Sequence, residues 1–208
     1  MSIQLPVDSI DDLIYDARAG DLEALKSDLA ALSTAHSSSE ASIIASAIDA
    51  SPAEEGGTGS CLLHFPAANG NEEILNYLLQ VLTLEKEKVE AVINHRNYSG
   101  NTALHWAALN THLGCVKALV EAGADISIKN DAGLDAVFLA ERADWSAAGP
   151  GEEGDEEEAE AQAEGDAPMT KGRQVVEWLL GSEKGGELEN GVAQDAGEGS
   201  SSVNADAK

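Results

Sequence analysis

The feature that most constrains the fold of this chain is a sequence pattern that occurs four times. The copies begin at Asp11, Cys61, Thr102 and Asp135 and read DDLIYDARAGDLEALKSDL, CLLHFPAANGNEEILNYLL, TALHWAALNTHLGCVKALV and DAVFLAERAD. In each copy, apolar and small residues follow one another at helical spacing. Three of the copies then pass through a short polar break into a second apolar stripe. The pattern therefore predicts repeated pairs of helices.

The spacing of the copies indicates the type of repeat. Their starts lie 50, 41 and 33 residues apart, and 33 residues is the period of the ankyrin repeat. The longer intervals predict two insertions: part helix and part Ser/Gly loop at 33–59, and the extended end of a helix at 79–93. We therefore predict an all-α ankyrin-repeat solenoid of about four repeats.

The third unit, GNTALHWAALN from Gly100, has the local chemistry of a turn followed by a helix. Gly100 can supply the positive φ of the turn, and Thr102 can cap the helix. His105 is expected to bridge backbone groups of adjacent repeats. After the second helix of this unit, Gly123 is expected to act as the C-terminal cap.

The second unit departs from this pattern at two positions. Cys61 replaces the capping threonine, and a thiol caps poorly. Pro66 falls several residues into the expected helix, where an interior proline removes a hydrogen bond and costs about 3 kcal/mol. The first helix of this unit is therefore predicted to be bent or shortened.

An acidic run interrupts the fourth unit. No basic residue lies between Asp144 and Thr170, and such a segment cannot bury enough apolar surface to order itself. Beyond it, QVVEWLLG at 174–181 has the spacing of a second ankyrin helix. The predicted organisation is an N-terminal extension at 1–10, a repeat domain at 11–181 with a disordered insertion at about 146–170, and a disordered acidic tail at 182–208.

The charge balance limits the class of partner. The chain has 208 residues, with 38 acidic against 12 basic side chains and a formal net charge of -26. Nucleic acid and anionic membrane surfaces are disfavoured because like charges repel. A basic protein partner is favoured, since long-range attraction speeds encounter. The alternative is that the charge serves solubility alone.

Targeting signals and cysteines give weaker indications of the compartment. The N-terminal stretch lacks the basic region of a signal peptide. No apolar run approaches the ~20 residues of a membrane span. The two cysteines, Cys61 and Cys115, indicate a reducing compartment rather than a disulfide scaffold.

Catalytic and metal chemistry find little support in the sequence. A zinc site can be imagined from Cys61, His64, His105 and Cys115, but their spacing lacks paired ligands and the ankyrin pattern explains both histidines. The sequence presents no combination of nucleophile, base and orienting group, and no GxxxxGK motif for nucleotides. We therefore expect no enzymatic activity, no cofactor and no metal.

The candidate partner-binding residues lie on first helices and turns. Tyr15, Phe65, Trp106 and Leu139 occupy the same place in their units, and they either pack between repeats or form an apolar strip flanked by acids. Such a strip could hold an amphipathic basic helix. Repeat proteins also make contacts at their turns and helix ends. The full candidate set is Tyr15, Phe65, Asn69, Tyr98, Asn101, Trp106, Asn110, Asp131, Leu134 and Arg142.

Four stretches together carry a more specific resemblance: DARAGDLEALK, AANGNEEILNYLL, GNTALHWAALN and GLDAVFLAE. With the acidic C-terminal end, they resemble the fungal ankyrin-repeat chaperones, known from yeast, that are dedicated to one ribosomal protein. The resemblance covers about residues 8–181. The acidic insertion after Asp144 departs from the family pattern.

The resemblance implies a function as well as a fold. Members of this family bind newly made protein three of the small ribosomal subunit, shield its basic N-terminal region, and accompany it towards the nucleus. The resemblance thus implies an ATP-independent chaperone, monomeric in a one-to-one complex, in the cytoplasm and nucleus. The alternative is a general ankyrin adaptor or scaffold whose partner need not be basic.

Overall fold

The structure is a computed structural model that describes residues 3–147 and 169–182. Each of the four units contributes a first helix and a second helix, as the repeats predict. The first helices are α1 (Val7–Ala19), α4 (His64–Asn69), α7 (Ala103–Leu109) and α9 (Ala136–Ala147). The second helices are α2 (Leu22–His36), α5 (Glu72–Thr83), α8 (Leu113–Glu121) and α10 (Lys171–Gly181). The predicted all-α solenoid is confirmed.

The helices stack in two layers around one continuous core. In one layer α1, α4, α7 and α9 follow one another, and in the other α5 is followed by α8 and α10. Buried alanines at 67, 107, 108 and 140 let the first helices approach closely. The second helices fill the space between the layers with larger side chains, as in α5, where Ile74, Leu75, Leu78 and Leu82 are almost fully buried. Each unit therefore covers the apolar face of the next.

The two insertions add helices to the second layer. In the first, α3 (Glu40–Ser46) packs between α2 and α5, and a short 3-10 helix (Ala53–Glu55) follows. The second was predicted as one long helix, and this is wrong: α5 ends at Thr83 and a separate helix, α6 (Lys86–Ile93), turns back. The break lets Val89, Val92 and Ile93 bury against α3 and α5, which offsets the lost helical hydrogen bonds.

The ends of the repeat domain also differ from expectation. The first helix begins at Val7, inside the predicted extension at 1–10, and Leu5 is buried against the core. In the fourth unit α9 continues to Ala147, past its predicted end near Asp144. After the acidic run, α10 packs on α9 and α8, which confirms 174–181 as a second helix. Residues 148–168 of the predicted insertion and 183–208 of the predicted tail lie outside the described residues.

Histidines link the first helices α4 and α7 to the following unit. Nδ1 of His105 accepts the N–H of Thr102 at 3.2 Å, so its Nε2 carries the proton and donates to the carbonyl of Leu134 at 3.1 Å. In the preceding unit Nε2 of His64 lies 3.0 Å from the carbonyl of Asn101. The bridging role expected for His105 is confirmed, as is the capping box that Thr102 forms with it.

A second set of side chains also ties the first helices α1 and α4 to the unit that follows. Nδ2 of Asn71 donates to the carbonyl of Ala17 at 3.3 Å, and His112 Nε2 lies 3.1 Å from the carbonyl of Ala68. Asn71 and His112 stand in the same place, immediately before a second helix. These carbonyls belong to the last turns of α1 and α4, where carbonyl groups lack N–H donors within their own helices. These bonds therefore set the spacing of the stack.

The helix of the second unit is short for a reason that the sequence only partly indicates. Whereas α7 begins one residue after Thr102, α4 begins three residues after Cys61. The predicted shortening is confirmed, but the expected cost of Pro66 is not. Pro66 is the third residue of α4, and N–H groups of a first turn have no helical acceptor. The proline therefore removes no helical hydrogen bond.

We predict that Pro66→Ala changes the free energy of unfolding by less than about 1 kcal/mol. The matched variant Ala107→Pro places proline at the fifth residue of α7, where it should cost at least about 3 kcal/mol. Urea unfolding followed by circular dichroism measures both values. A gain of about 3 kcal/mol in Pro66→Ala would show that the proline does interrupt a helix.

We also predict a pH dependence of stability from the histidine bridges. Burial lowers the pKa of both His64 and His105, so the unfolded chain binds protons more readily. Their contribution is therefore complete above the unfolded value of about 6.5 and is lost as the pH falls towards the lowered pKa values. His105→Leu should cost about 2 kcal/mol at pH 7.5 and make this dependence shallower.

The measurement is urea unfolding at half-unit steps from pH 5 to 7.5. His36→Leu serves as the control, because His36 lies in the last turn of α2 and bridges no repeats. An unchanged pH slope in His105→Leu would contradict the assignment.

Candidate functional site

A groove of about 430 Å³ lies between the first helices and the turns that precede them. We call these turns fingers: the first at 56–60, the second at 97–101 and the third at 130–134. One wall of the groove is formed by α1, α4 and α7, and the other by the first two fingers with Ala53. The full lining is Arg18, Ala53, Gly57, Thr58, Ser60, His64, Phe65, Ala68, Asn69, Asn97, Tyr98, Ser99 and Trp106.

The second and third fingers share one local construction. In the second, Oδ1 of Asn97 accepts the N–H groups of Ser99 at 3.0 Å and Asn101 at 2.9 Å. In the third, Oδ1 of Asn130 accepts two N–H groups in the same positions. The expected positive φ of Gly100 is confirmed at 75°, and it lets the chain reverse. The sequence pattern Asn-x-x-Gly thus builds a rigid loop.

Hydrogen bonds join the fingers into a continuous wall. The N–H of Tyr98 donates to the carbonyl of Thr58 at 2.9 Å, and the N–H of Asp131 donates to the carbonyl of Ser99 at 3.1 Å. The Tyr98 hydroxyl also donates to the carbonyl of Ser51 at 3.2 Å. One side chain of the second finger is therefore held across the first insertion, with its ring 52% exposed beside the groove.

The groove brings together four of the ten predicted partner-binding residues. Phe65 and Trp106 are half-buried in its helical wall, Tyr98 lies in the opposite wall, and Asn69 lies at the end of α4. Nδ2 of Asn69 donates to the carbonyl of Arg18 at 3.1 Å. Half-buried aromatic rings can anchor a partner at low entropic cost. The binding role of these four residues stays a prediction.

The other six predicted residues do not line the groove. Asn101 and Leu134 offer their carbonyls to the histidine bridges. Asp131 forms an ion pair with Arg96 at 2.9 Å. The remaining three are exposed on or after first helices: Tyr15, Asn110 and Arg142. Leu139, the counterpart of Phe65 and Trp106 in the fourth unit, is only 6% exposed, in agreement with packing between repeats.

Alignment of the four repeats did not predict that Tyr15 lies outside the groove or that Arg18 lines it. Tyr15 is 72% exposed, because the described residues before α1 form no finger to complete a wall beside it. One turn later, Arg18 reaches the groove and lies over Phe65, with its guanidinium carbon 5.9 Å from the ring centroid. Arg18 stands in the place of Ala68 in the repeat pattern. The equivalent positions of the third and fourth units hold Leu109 and Arg142, so the repeat pattern gave no signal that singled out Arg18.

The electrostatics of the groove differ from those of the chain as a whole. Among the lining residues, Arg18 is the one with a permanent charge, and none is a carboxylate. The nearest acids in sequence are Glu54 and Glu55, both exposed beside Ala53. Of the four residues of the expected acid-flanked apolar strip, Phe65 and Trp106 line the groove, whereas Tyr15 and Leu139 do not. Attraction of a basic partner therefore comes from the surroundings and not from the groove itself.

The residues imagined as a zinc site have structural roles. Cys61 Sγ lies 3.2 Å from Nδ1 of His64, in the place that Thr102 and His105 occupy in the next unit. Burial raises the pKa of Cys61 and of Cys115 to about 12, so both thiols are protonated and poor nucleophiles. Within residues 3–147 and 169–182, no group of three or more His, Cys, Asp or Glu side chains is placed to bind a metal. No helix in the described ranges is both long and apolar enough to span a membrane.

Comparison with known proteins places this architecture in a family. A model of three ankyrin repeats matches residues 13–130. Ankyrin repeat-containing protein YAR1 of Saccharomyces cerevisiae is 34% identical over 181 residues, which span 79% of this chain and 82% of the yeast protein. The chain belongs to the Yar1 family of ankyrin-repeat proteins. The recognition made from the sequence motifs is thereby confirmed.

A solved structure supports the Yar1 family relationship in three dimensions. It is described as the yeast ribosomal protein Rps3 in complex with its chaperone Yar1, and it matches 69% of this chain and 90% of that chain, with a TM-score of 0.59 and 35% identity. Mouse synphilin-1 is 36% identical over 81 residues, but the match spans only 8% of that protein. The synphilin-1 match therefore reflects the repeats alone, whereas the Yar1 matches extend along most of both proteins.

Proposed function

We propose that this chain is a dedicated chaperone of the small-subunit ribosomal protein Rps3. The observation that carries the proposal is the similarity to Yar1 over 90% of the matched chain, at 35% identity, in a structure solved with Rps3 bound. The groove gives this similarity a physical basis, since it combines apolar anchors with a continuous finger wall. A general adaptor with a different partner is the competing function.

The two parts of the binding energy have different sources. Long-range attraction between a chain of net charge -26 and a basic ribosomal protein raises the rate of encounter. The residence time depends on apolar side chains in the groove, chiefly Phe65, Tyr98 and Trp106. A groove of about 430 Å³ holds a few side chains, so the bound part of Rps3 would be one face of a short segment, such as an amphipathic helix.

The remaining features of the proposed function follow from this mode of binding. Masking a basic surface until RNA replaces the chaperone requires no nucleotide and no catalysis, so we propose an ATP-independent binding protein rather than an enzyme. It would act as a monomer in a one-to-one complex. Escort of Rps3 would take it from the cytoplasm to the nucleus, either by diffusion or together with its cargo.

The test is purification of the tagged full-length chain from cells, followed by identification of the co-purifying proteins. Rps3 in stoichiometric amount supports the proposal, and a mixture that lacks it supports the adaptor. With purified yeast Rps3, we expect Trp106→Ala to weaken binding about tenfold or more, because aromatic anchors dominate interfaces.

Tyr15→Ala is the matched control for Trp106→Ala, because Tyr15 holds the same repeat position but lies outside the groove. We expect its dissociation constant to stay within about twofold of that of the unmodified chain. Thermal melting checks that both variants fold. Equal losses in the two variants would mean that the groove is not the binding surface.

A further prediction concerns the acidic run. Residues 148–168 contain nine acidic residues and no basic one, so deleting them should slow association with Rps3 and weaken its dependence on salt, with little change in the dissociation rate. Stopped-flow fluorescence measures both rates. A variant of equal length with the nine acids changed to Asn or Gln separates charge from length. If the deletion leaves the association rate and its salt dependence unchanged, the run does not steer binding.

A further inference from the structure

Arg18 is the one permanently charged side chain in the lining of the groove. Elsewhere Arg96 is paired with Asp131, Lys26 with Glu23, and Arg173 with Glu177. Arg18, like the exposed Lys129, forms no such ion pair among the described residues. It lies instead over the ring of Phe65, inside the lining of the groove.

The position of Arg18 is fixed by its neighbours. Its own carbonyl accepts Nδ2 of Asn69, and the carbonyl of the preceding residue, Ala17, accepts Nδ2 of Asn71. Two units are thus tied together at the point where the side chain begins. From this fixed backbone position the guanidinium lies at the α1 end of the groove, 5.9 Å from the centroid of the Phe65 ring.

A bound segment changes the surroundings of this guanidinium. In the free protein its N–H groups are exposed to water. When a partner covers the groove, part of that water is removed, and an unpaired charge in an apolar site is costly. A carboxylate restores the lost interactions best, since it can accept two parallel hydrogen bonds from the guanidinium.

We propose that the segment bound in the groove places a carboxylate side chain, from Asp or Glu, against Arg18, next to an apolar residue seated on Phe65 and Trp106. This inference rests on the proposed function and specifies the chemistry of the bound segment. The partner is basic overall, but the segment that enters the groove is not uniformly basic.

Arg18 would therefore provide selectivity that the net charge cannot. The acidic surface attracts every polycation to a similar degree, because long-range electrostatic attraction depends on the partner's charge and not on its sequence. A lysine or arginine placed against Arg18 is repelled at short range, whereas a carboxylate is bound. The pairing also fixes the register of the segment along the groove.

Charge reversal distinguishes this inference from attraction by net charge alone. Arg18→Glu makes the chaperone more acidic, so steering alone predicts equal or tighter binding to Rps3. The proposed pairing predicts that the dissociation constant rises about thirtyfold or more. The control is Lys129→Glu, which changes the net charge equally at an exposed site outside the groove. We expect this control to bind Rps3 as tightly as the unmodified chain, or more tightly.

Two further variants separate charge from packing. Arg18→Met keeps an apolar stem over Phe65 and should lose most of the affinity that Arg18→Glu loses. Arg18→Lys keeps the charge but not the two parallel hydrogen bonds, so it should lose less affinity than Arg18→Met and more than Lys129→Glu. Retention of affinity in Arg18→Met, which keeps the apolar stem, would overturn the ionic pairing in favour of packing. Calorimetry with full-length yeast Rps3 measures all four variants, and thermal melting confirms that each is folded.

Reversal of the partner's charge completes the test. Each Asp and Glu of Rps3 is changed in turn to Lys, and binding to Arg18→Glu is measured. Recovery of at least about tenfold by one reversal, with no gain towards Lys129→Glu, identifies the carboxylate. No recovery by any reversal overturns the inference. If the unmodified chain fails to bind Rps3, the proposed function itself fails, whereas binding that is insensitive to Arg18→Glu removes only the inference.

Discussion

The groove depends on the bridges that His64 and His105 make between a first helix and the finger of the next unit. Each bridge joins Nε2 to a finger carbonyl, at 3.0 Å for Asn101 and 3.1 Å for Leu134. The bridges are buried, so water does not compete for these bonds. Because the imidazole sets both distance and direction, the finger wall stands at a constant separation from the helices. The second finger, which forms part of the groove wall, takes its position from the His64 bridge.

The distribution of charge over the whole chain differs from that inside the groove. Over long distances the net charge of -26 attracts basic chains, whereas the lining of the groove contains no carboxylate and one cation, Arg18. The cost of the acidic composition is visible at Asp16, which is 7% exposed and whose Oδ2 lacks a hydrogen-bond partner. Burial and the neighbouring carboxylates of Asp28, Asp21 and Asp12 raise its pKa. This unfavourably buried carboxyl group lies between α1 and α2, away from the groove lining.

Individual helices and turns show how much of the fold the local sequence pattern predicted. The repeat period located all four units, and the spacing at 174–181 identified α10 across a break of about twenty residues in the described chain. The turn at Gly100 and the bridge at His105 also followed from local chemistry. Pro66 was assigned the wrong cost, because the start of α4 depends on how Cys61 contacts His64. The break before α6 was missed, since only packing against α3 and α5 makes a second helix preferable to a longer first one.

The sequence by itself determined the repeat, its insertions, the bridging histidines and the Asn-x-x-Gly fingers, because each depends on residues close together in the chain. Only the tertiary structure decided which aromatic residues share a groove. Tyr15 and Trp106 hold equal places in the repeat, yet one faces solvent and the other lines the groove, since a wall requires the finger of a neighbouring unit. The same reason explains Arg18: its place in the groove depends on α1 meeting α4, a contact between residues some fifty positions apart.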